Sequence, residues 1–292
     1  MKSFEYFAPG NLPEGLALLD NYGQKAKILA GGTDLIAQIR AMRVQPTFII
    51  DIKQIPELNR LEWSAYETLH IGAAVPISKI VGFPHFAERF NILHQGCSLI
   101  GSTRIRNRAT IGGNICNAAP SADSIPALLC LEAKAVIAHT TGTRVIPLEH
   151  FFRGPGETTL AHNELLVEIE IPASPTHSAG YYLRHTPREE MDIAVVGVAV
   201  FLVLTHGSQV CQQARIALGA VAPTPIRVPQ AEALLTGKNI SKEDIEKTVE
   251  KVAEVASPIS DIRSSAGYRK ELLKVLTRRT LKGTCESLNI QI

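Results

Sequence analysis

Two diglycines, each followed at once by small polar residues, constrain this chain more than any other feature. The first stands in KILAGGTDLIAQ (27–38) and the second in ATIGGNICNAAPSAD (109–123). Glycine adopts positive φ at little cost and lets a second backbone or a ligand come close, so such a pair marks a tight and crowded segment. AKILA (26–30) reads as a short buried strand and TDLIAQIRAMR as the helix after it. A strand running through Gly-Gly-Thr-Asp into a helix offers bare amide groups and a positive helix end, which favour an anion such as phosphate. A plain strand-to-helix turn has the same pattern, and AGGTD alone fits both readings.

The second stretch again joins a diglycine to a hydroxyl and an amide, in Thr110-Ile111-Gly112-Gly113-Asn114, with Asn117, Ser121 and Asp123 close behind. Alone it reads as a Gly-rich hairpin turn, with Asp123 capping the helix that follows. Two such stretches with polar groups and no charged base suit a pyrophosphate clasped from two sides, Asp123 accepting from sugar hydroxyls. The common nucleotide signatures are missing: the sequence holds neither G-x-G-x-x-G nor G-K-S or G-K-T.

Other chemistry is thinly represented. The nine histidines form no H-E-x-x-H or close cluster, and the five cysteines are scattered without a C-x-x-C pair. No metal site is expected, and unpaired thiols point to a reducing cytoplasm. There is no G-x-S-x-G nucleophile elbow. Arg104, Arg106 and Arg108 alternate, so an extended segment there would have one basic face. A net charge of +2 does not make that a nucleic-acid surface. Tyr181, Tyr182 and Arg184 read as core and surface residues. Binding groups are present and catalytic ones are not, as in a protein whose cofactor does the redox chemistry.

Along the chain, Leu12, Leu16 and Leu19 mark an N-terminal helix with Pro13 near its start and Gly23 past its end. TFIIDI (47–52) completes a strand–helix–strand unit. TLHIGAAV (68–75), AKAVIAHT and TRVIPL read as strands, and residues 88–101 as a helix with Leu93, Cys97 and Ile100 on one face. In LLVEIEIP, apolar residues alternate with Glu168 and Glu170, which predicts a strand with one wet face. ASPTHSAG (173–180) reads as a linker. IAVVGVAVFLVL (193–204) is too short to cross a bilayer and rich in β-branched residues, so it predicts a buried strand, followed by another at 214–221. Ser241 and Asp244 form a capping box before a helix, and a last helix over about 265–287 carries Tyr268, Leu272, Val275 and Leu276. Neither a signal peptide nor a membrane span is expected.

AGGTDL (30–35), ATIGGNICNAAPSAD, FFRGPGETTL (151–160), ELLVEIEIP (164–172), REEMDIAVVGVAV (188–200) and SPISDIRSSAGYRKELL (257–273) occur in this order. Together they resemble the FAD-binding subunit of the molybdenum hydroxylases, the xanthine dehydrogenase type, over nearly the whole chain. The resemblance implies an α+β fold: a split, two-subdomain FAD-binding domain of the vanillyl-alcohol oxidase type over 1–175, with subdomains about 1–55 and 56–175. A small α+β domain of the CO dehydrogenase flavoprotein type would fill 176–292.

The resemblance also assigns residues. Ile28, Leu29, Ala30, Gly31, Gly32, Thr33, Asp34 and Leu35 would wrap one side of the FAD pyrophosphate, and Thr110, Ile111, Gly112, Gly113 and Asn114 the other. Asp123 would bond the cofactor's polyol or sugar part. Ile100 and Leu166 match positions lining the isoalloxazine, and Arg184 a basic position near the flavin. The implied partners are a molybdenum-cofactor subunit, a two-iron–two-sulfur subunit that passes electrons singly, and NAD+ as acceptor, with no catalytic acid or base on this chain. A free-standing FAD reductase of the same fold and a flavin-free assembly subunit are the alternatives. Replacing Gly112 with a bulky residue is expected to remove flavin and leave the fold intact.

Overall fold

The computed structural model describes residues 3–189 and 191–292, so Met1, Lys2 and Glu190 of the REEMDIAVVGVAV run lie outside the described residues. The chain divides into two compact units. One consists of Met1–Ile80, Thr103–Ala118 and Ala133–Ala173, the other of Val81–Ser102, Ala119–Glu132 and Ser174–Ile292.

In the first unit the Asn11 side chain accepts from the Glu14 N–H at 2.9 Å and opens the helix Leu12–Tyr22, with Pro13 in its first turn and Gly23 after it at positive φ. This helix and the helix Leu35–Arg40 link three strands, β1 (Glu5–Phe7), β2 (Ala26–Leu29) and β3 (Phe48–Asp51). The strands pair in parallel in the order β1-β3-β2. The strand–helix–strand spacing thus folds as a parallel unit. Leu16 and Leu19 pack with Ile50, Ile52, Ile55 and Leu58 beneath it.

The same unit holds β4 (Leu61–Trp63), β5 (Leu69–Gly72), β6 (Lys134–His139), β7 (Gly142–Pro147), the short ribbon β8 (Phe152–Gly154) and β9 (Glu157–Thr158), and β10 (Leu165–Ile171). Five of these form an antiparallel sheet, β4-β5-β10-β6-β7. The central position of β10 corrects the expectation of a wet face, because Glu168 is buried. Register sets Glu170 opposite His70 and Glu168 opposite Gly72. The Glu168 carboxylate meets His70 Nδ1 at 2.6 Å, and Arg60 Nη1 donates to it at 3.4 Å. His70 from the neighbouring strand and Arg60 from the turn before β4 therefore replace water around this glutamate.

The second unit is built on an antiparallel sheet of β11 (Ser178–His185), β12 (Val196–Leu204), β13 (Cys211–Gly219) and β14 (Ile226–Arg227), in that order. Every residue of β12 is buried. Val198, Val200 and Leu202 pack against Ile245, Val249 and Val252 of the helix Lys242–Val255 and Leu273, Leu276 and Leu281 of the helix Ala266–Ser287. The opposite face is covered by the helices Asn91–Ser98 and Ser124–Cys130. Ile92 lies against Gly180, and Cys130 Sγ sits 3.6 Å from the carbonyls of Ala199 and Arg215. A strand apolar on both faces needs cover on both, and segments far upstream in the chain supply the second layer.

Ser241 and Asp244 form the full capping box. Of the residues read on the last helix, Leu276 is buried and Leu272 packs against the core, while Tyr268 and Val275 are 54% and 38% exposed. Arg269, Leu273, Thr277, Thr280 and Leu281 lie buried beside Leu276. Two threonines on this face are tolerated because a helix offers its own carbonyls to them: Thr280 Oγ1 donates to Leu276 O at 2.8 Å and Thr284 Oγ1 to Thr280 O at 2.8 Å. Leu273→Ala is accordingly expected to cost about 2–5 kcal/mol in urea denaturation, and Val275→Ala less than about 1 kcal/mol. Equal costs would contradict this placement.

Candidate functional site

The first diglycine lies where β2 gives way to the helix Leu35–Arg40. A Cβ on Gly31 would stand 2.0 Å from Arg108 O and 2.9 Å from Ala109 Cα, so this backbone rests directly on the residues that lead into the second diglycine. Gly32 has φ +77°, a conformation that glycine holds without strain. The N–H groups of Gly31, Gly32, Thr33 and Asp34 donate to no acceptor among the described residues.

The second diglycine is no hairpin turn. Thr110 caps the helix Ile111–Cys116, its Oγ1 accepting from the Gly113 N–H at 3.0 Å. The Ile77, Ile111 and Gly112 N–H groups donate to Ala109 O (2.8 Å), Val75 O (3.3 Å) and Ala73 O (3.1 Å), which binds residues 109–112 alongside 73–77. A Cβ on Gly112 would meet Ala73 at 2.5 Å, whereas one on Gly113 would meet only Thr110 Oγ1, at 3.0 Å. The two glycines divide the work: Gly112 seats the helix, and Gly113 leaves its first turn without a side chain. A bulky residue at 112 therefore breaks the packing, against the expectation that the fold would survive it.

These two segments meet at Gly31: the first presents bare amides beside Thr33, while the N–H groups of Ile111, Gly112, Gly113 and Asn114 in the second are engaged within the protein beside Thr110. The donor set is uncharged and lies on backbone, which suits a pyrophosphate held at close range. Leu166 belongs to the same unit and lies buried on β10. Thr103–Arg106 is a helical turn, so Arg104, Arg106 and Arg108 do not form the basic face of an extended segment. Sequence spacing gave no sign that His70, Glu168 and Glu170 come together, their ligand atoms lying within 4.8 Å of one another. Arg60 already supplies this cluster with positive charge.

Ile100, Asp123 and Arg184 belong to the second unit. Ile100 is half-buried beyond the helix Asn91–Ser98. Asp123 precedes the helix Ser124–Cys130 but its side chain does not cap it. Instead Tyr182 Oη donates to Asp123 Oδ1 at 2.8 Å and Arg184 Nη1 to Oδ2 at 2.5 Å. Arg184 and Asp123 have side chains only 5% and 9% exposed. Tyr182 went unremarked as a site residue. The signal was its two-residue spacing from Arg184, which on a strand puts both on one face. Burial pushes the Asp123 carboxyl up to about 6, against the opposing pull of Arg184 and the Tyr182 hydroxyl.

The family profile of the FAD binding domain in molybdopterin dehydrogenase matches residues 2–174, and that of the CO dehydrogenase flavoprotein C-terminal domain matches 181–284. The chain belongs to the FAD-binding subunits of the molybdenum hydroxylases. This flavoprotein is 33% identical to the carbon monoxide dehydrogenase medium chain of Hydrogenophaga pseudoflava, over 95% of this chain and 96% of that one. It is 32% identical to the xanthine dehydrogenase FAD-binding subunit of Escherichia coli O157:H7, over 94% of each. A solved structure of the Hydrogenophaga pseudoflava carbon monoxide dehydrogenase superposes with a TM-score of 0.93 at 33% identity, covering 97% of each chain. The α+β FAD-binding fold implied by the motifs is the fold of this flavoprotein.

The folded flavoprotein holds a proton on Asp123 that the unfolded chain releases near pH 4. Its stability therefore falls as pH rises from about 4 to about 6 and then levels off. Relative to Asp123→Asn, the wild type is expected to lose on the order of 3 kcal/mol across that window, read by urea denaturation at each pH. Parallel profiles for the two proteins would show that Asp123 carries no such proton.

Proposed function

We propose that this FAD-binding subunit receives electrons from a partner with two-iron–two-sulfur clusters, itself fed by a molybdenum-cofactor partner, and passes them to NAD+. The relatives support the assembly: one is a medium chain, another an FAD-binding subunit, and the solved relative is described as lacking the Mo-pyranopterin moiety of its molybdenum cofactor. The observation that carries the cofactor site is the contact of Gly31 with Arg108 and Ala109, which joins the two diglycine segments.

In this reading Ile28–Leu35 hold the pyrophosphate through the N–H groups of Gly31, Gly32, Thr33 and Asp34 and the Thr33 hydroxyl, and Thr110–Asn114 close its other side with the Thr110 hydroxyl. Gly32 and Gly113 keep side chains out of the way. Asp123 accepts from the polyol or sugar hydroxyls, Arg184 offers charge to the flavin, and Ile100 and Leu166 give apolar cover to the ring. When bound, FAD supplies the chemistry, taking electrons singly and releasing them as a pair. The side chains need only bind and orient it, which agrees with a site made of amides and hydroxyls. A reducing cytoplasm suits the five thiols, none of them in a disulfide. No helix among the described residues is long and apolar enough to cross a membrane.

The test is the visible spectrum of the purified full chain after incubation with FAD and gel filtration. Bound flavin bands are expected, with anaerobic bleaching by NADH if NAD+ is the physiological acceptor. Gly113→Val should weaken FAD binding about tenfold or more while circular dichroism and Tm stay near wild type. A colourless wild-type chain would contradict the cofactor site, and flavin that NADH leaves oxidised would contradict NAD+.

A further inference from the structure

Arg184 is almost wholly buried, yet it donates only one hydrogen bond among the described residues, from Nη1 to Asp123. The guanidinium carries five N–H donors, so most of its capacity is directed at something other than this chain. What fixes its aim is Asp123, and what fixes Asp123 is Tyr182. We infer that Tyr182 is a positioning residue for the flavin: its hydroxyl locks the Asp123 carboxylate in the orientation that presents Arg184 to the cofactor. The inference rests on the FAD-binding reading.

The geometry is built for that hydroxyl. Tyr182 and Arg184 stand two apart on β11 and approach the carboxylate together, one on each oxygen. With a donor on Oδ2 alone the carboxylate would be free to turn about its last bond; the second donor on Oδ1 removes that freedom. Tyr182 is 2% exposed, and its own N–H donates to Gln95 Oε1 at 2.8 Å, which pins the strand at this residue. On the neighbouring strand, a Cβ at Gly197 would lie 2.7 Å from Tyr182 Oη. The ring thus ends in a seat that exists only because position 197 is bare. A phenylalanine would fill the apolar part of this space equally well, so the oxygen is present for Asp123.

The groups facing Asp123 are few. Arg184 and Tyr182 come from β11 and Cys97 from the helix Asn91–Ser98, whose thiol burial and Asp123 push up to about 12. The Tyr182 phenol is likewise raised well above its ordinary value by burial and by Asp123. Asp123, held at about 6, is therefore the group in this set that changes charge between pH 5 and 8. Protonation of Asp123 releases Arg184. Removal of the Tyr182 hydroxyl takes away a bond that favours the carboxylate, and so moves that protonation to higher pH.

The experiment is FAD affinity of the full chain by flavin fluorescence from pH 5 to 8, for wild type, Tyr182→Phe and Gly197→Ala, with Tm recorded for each. The wild-type Kd is expected to rise as pH falls through about 6. Tyr182→Phe should bind about tenfold more weakly at neutral pH, with the midpoint of the profile displaced upward. Gly197→Ala reaches the same hydroxyl from the opposite side, through a methyl group, and should displace the midpoint in the same direction even if Tyr182→Phe proves unstable. A purely packing role would alter Tm and leave the midpoint where it is, and that result overturns the inference. So does a wild-type Kd that is flat across this range. A wild type that binds no FAD at any pH overturns the FAD reading itself, and this is distinguishable from the other outcomes.

Discussion

The site depends on one close approach between two stretches of backbone. Gly31 lies so near Arg108 and Ala109 that any side chain there would overlap a carbonyl oxygen. This contact sets the strand-to-helix turn of the parallel unit against the residues entering the helix Ile111–Cys116. That helix is held in turn by the bonds from 109–112 to 73–77. Backbone held by backbone has few soft degrees of freedom. A row of amide donors can therefore keep its geometry before any ligand arrives, and preorganisation of this kind favours tight binding at low ordering cost.

In the second unit, packing decides where a charge stands. Its central strand, buried on both faces, requires helices on either side, and one of these begins at Asp123. The demand for apolar cover thereby brings a carboxylate to the inner end of β11, where Tyr182 and Arg184 receive it. A carboxylate at this depth is expensive to ionise, which raises its pKa, and the arginine beside it keeps the cost finite. Packing and electrostatics are coupled through one residue.

Much of this was legible in the sequence because the signals were local. Asn11, Pro13 and Gly23 bracket the first helix, Ser241 and Asp244 open another, and the alternation or apolarity of short runs marks β3, β6, β7 and β12. The diglycines announced themselves by composition. What they do individually was not legible, since Gly112 and Gly113 are alike until Ala73 is placed beside one of them. Glu168 looked like a solvated strand residue because alternation tells which face a side chain takes and not what covers that face. The buried face of the last helix was read only in part, for a related reason. Thr280 and Thr284 are polar in sequence but bond back to their own helix, so hydropathy pointed to Tyr268 and Val275 beside Leu276. Tyr182 and Asp123 are far apart in the chain, and only the fold joins them.

The central claim is that the two joined glycine segments are where FAD binds, and hydrogen–deuterium exchange of the full chain with and without FAD tests it most directly. Slowed exchange at the amides of Gly31, Gly32, Thr33 and Asp34 is the expected result, because those donors gain acceptors only when the cofactor is bound. Exchange that stays unchanged in both segments while slowing elsewhere would contradict the account.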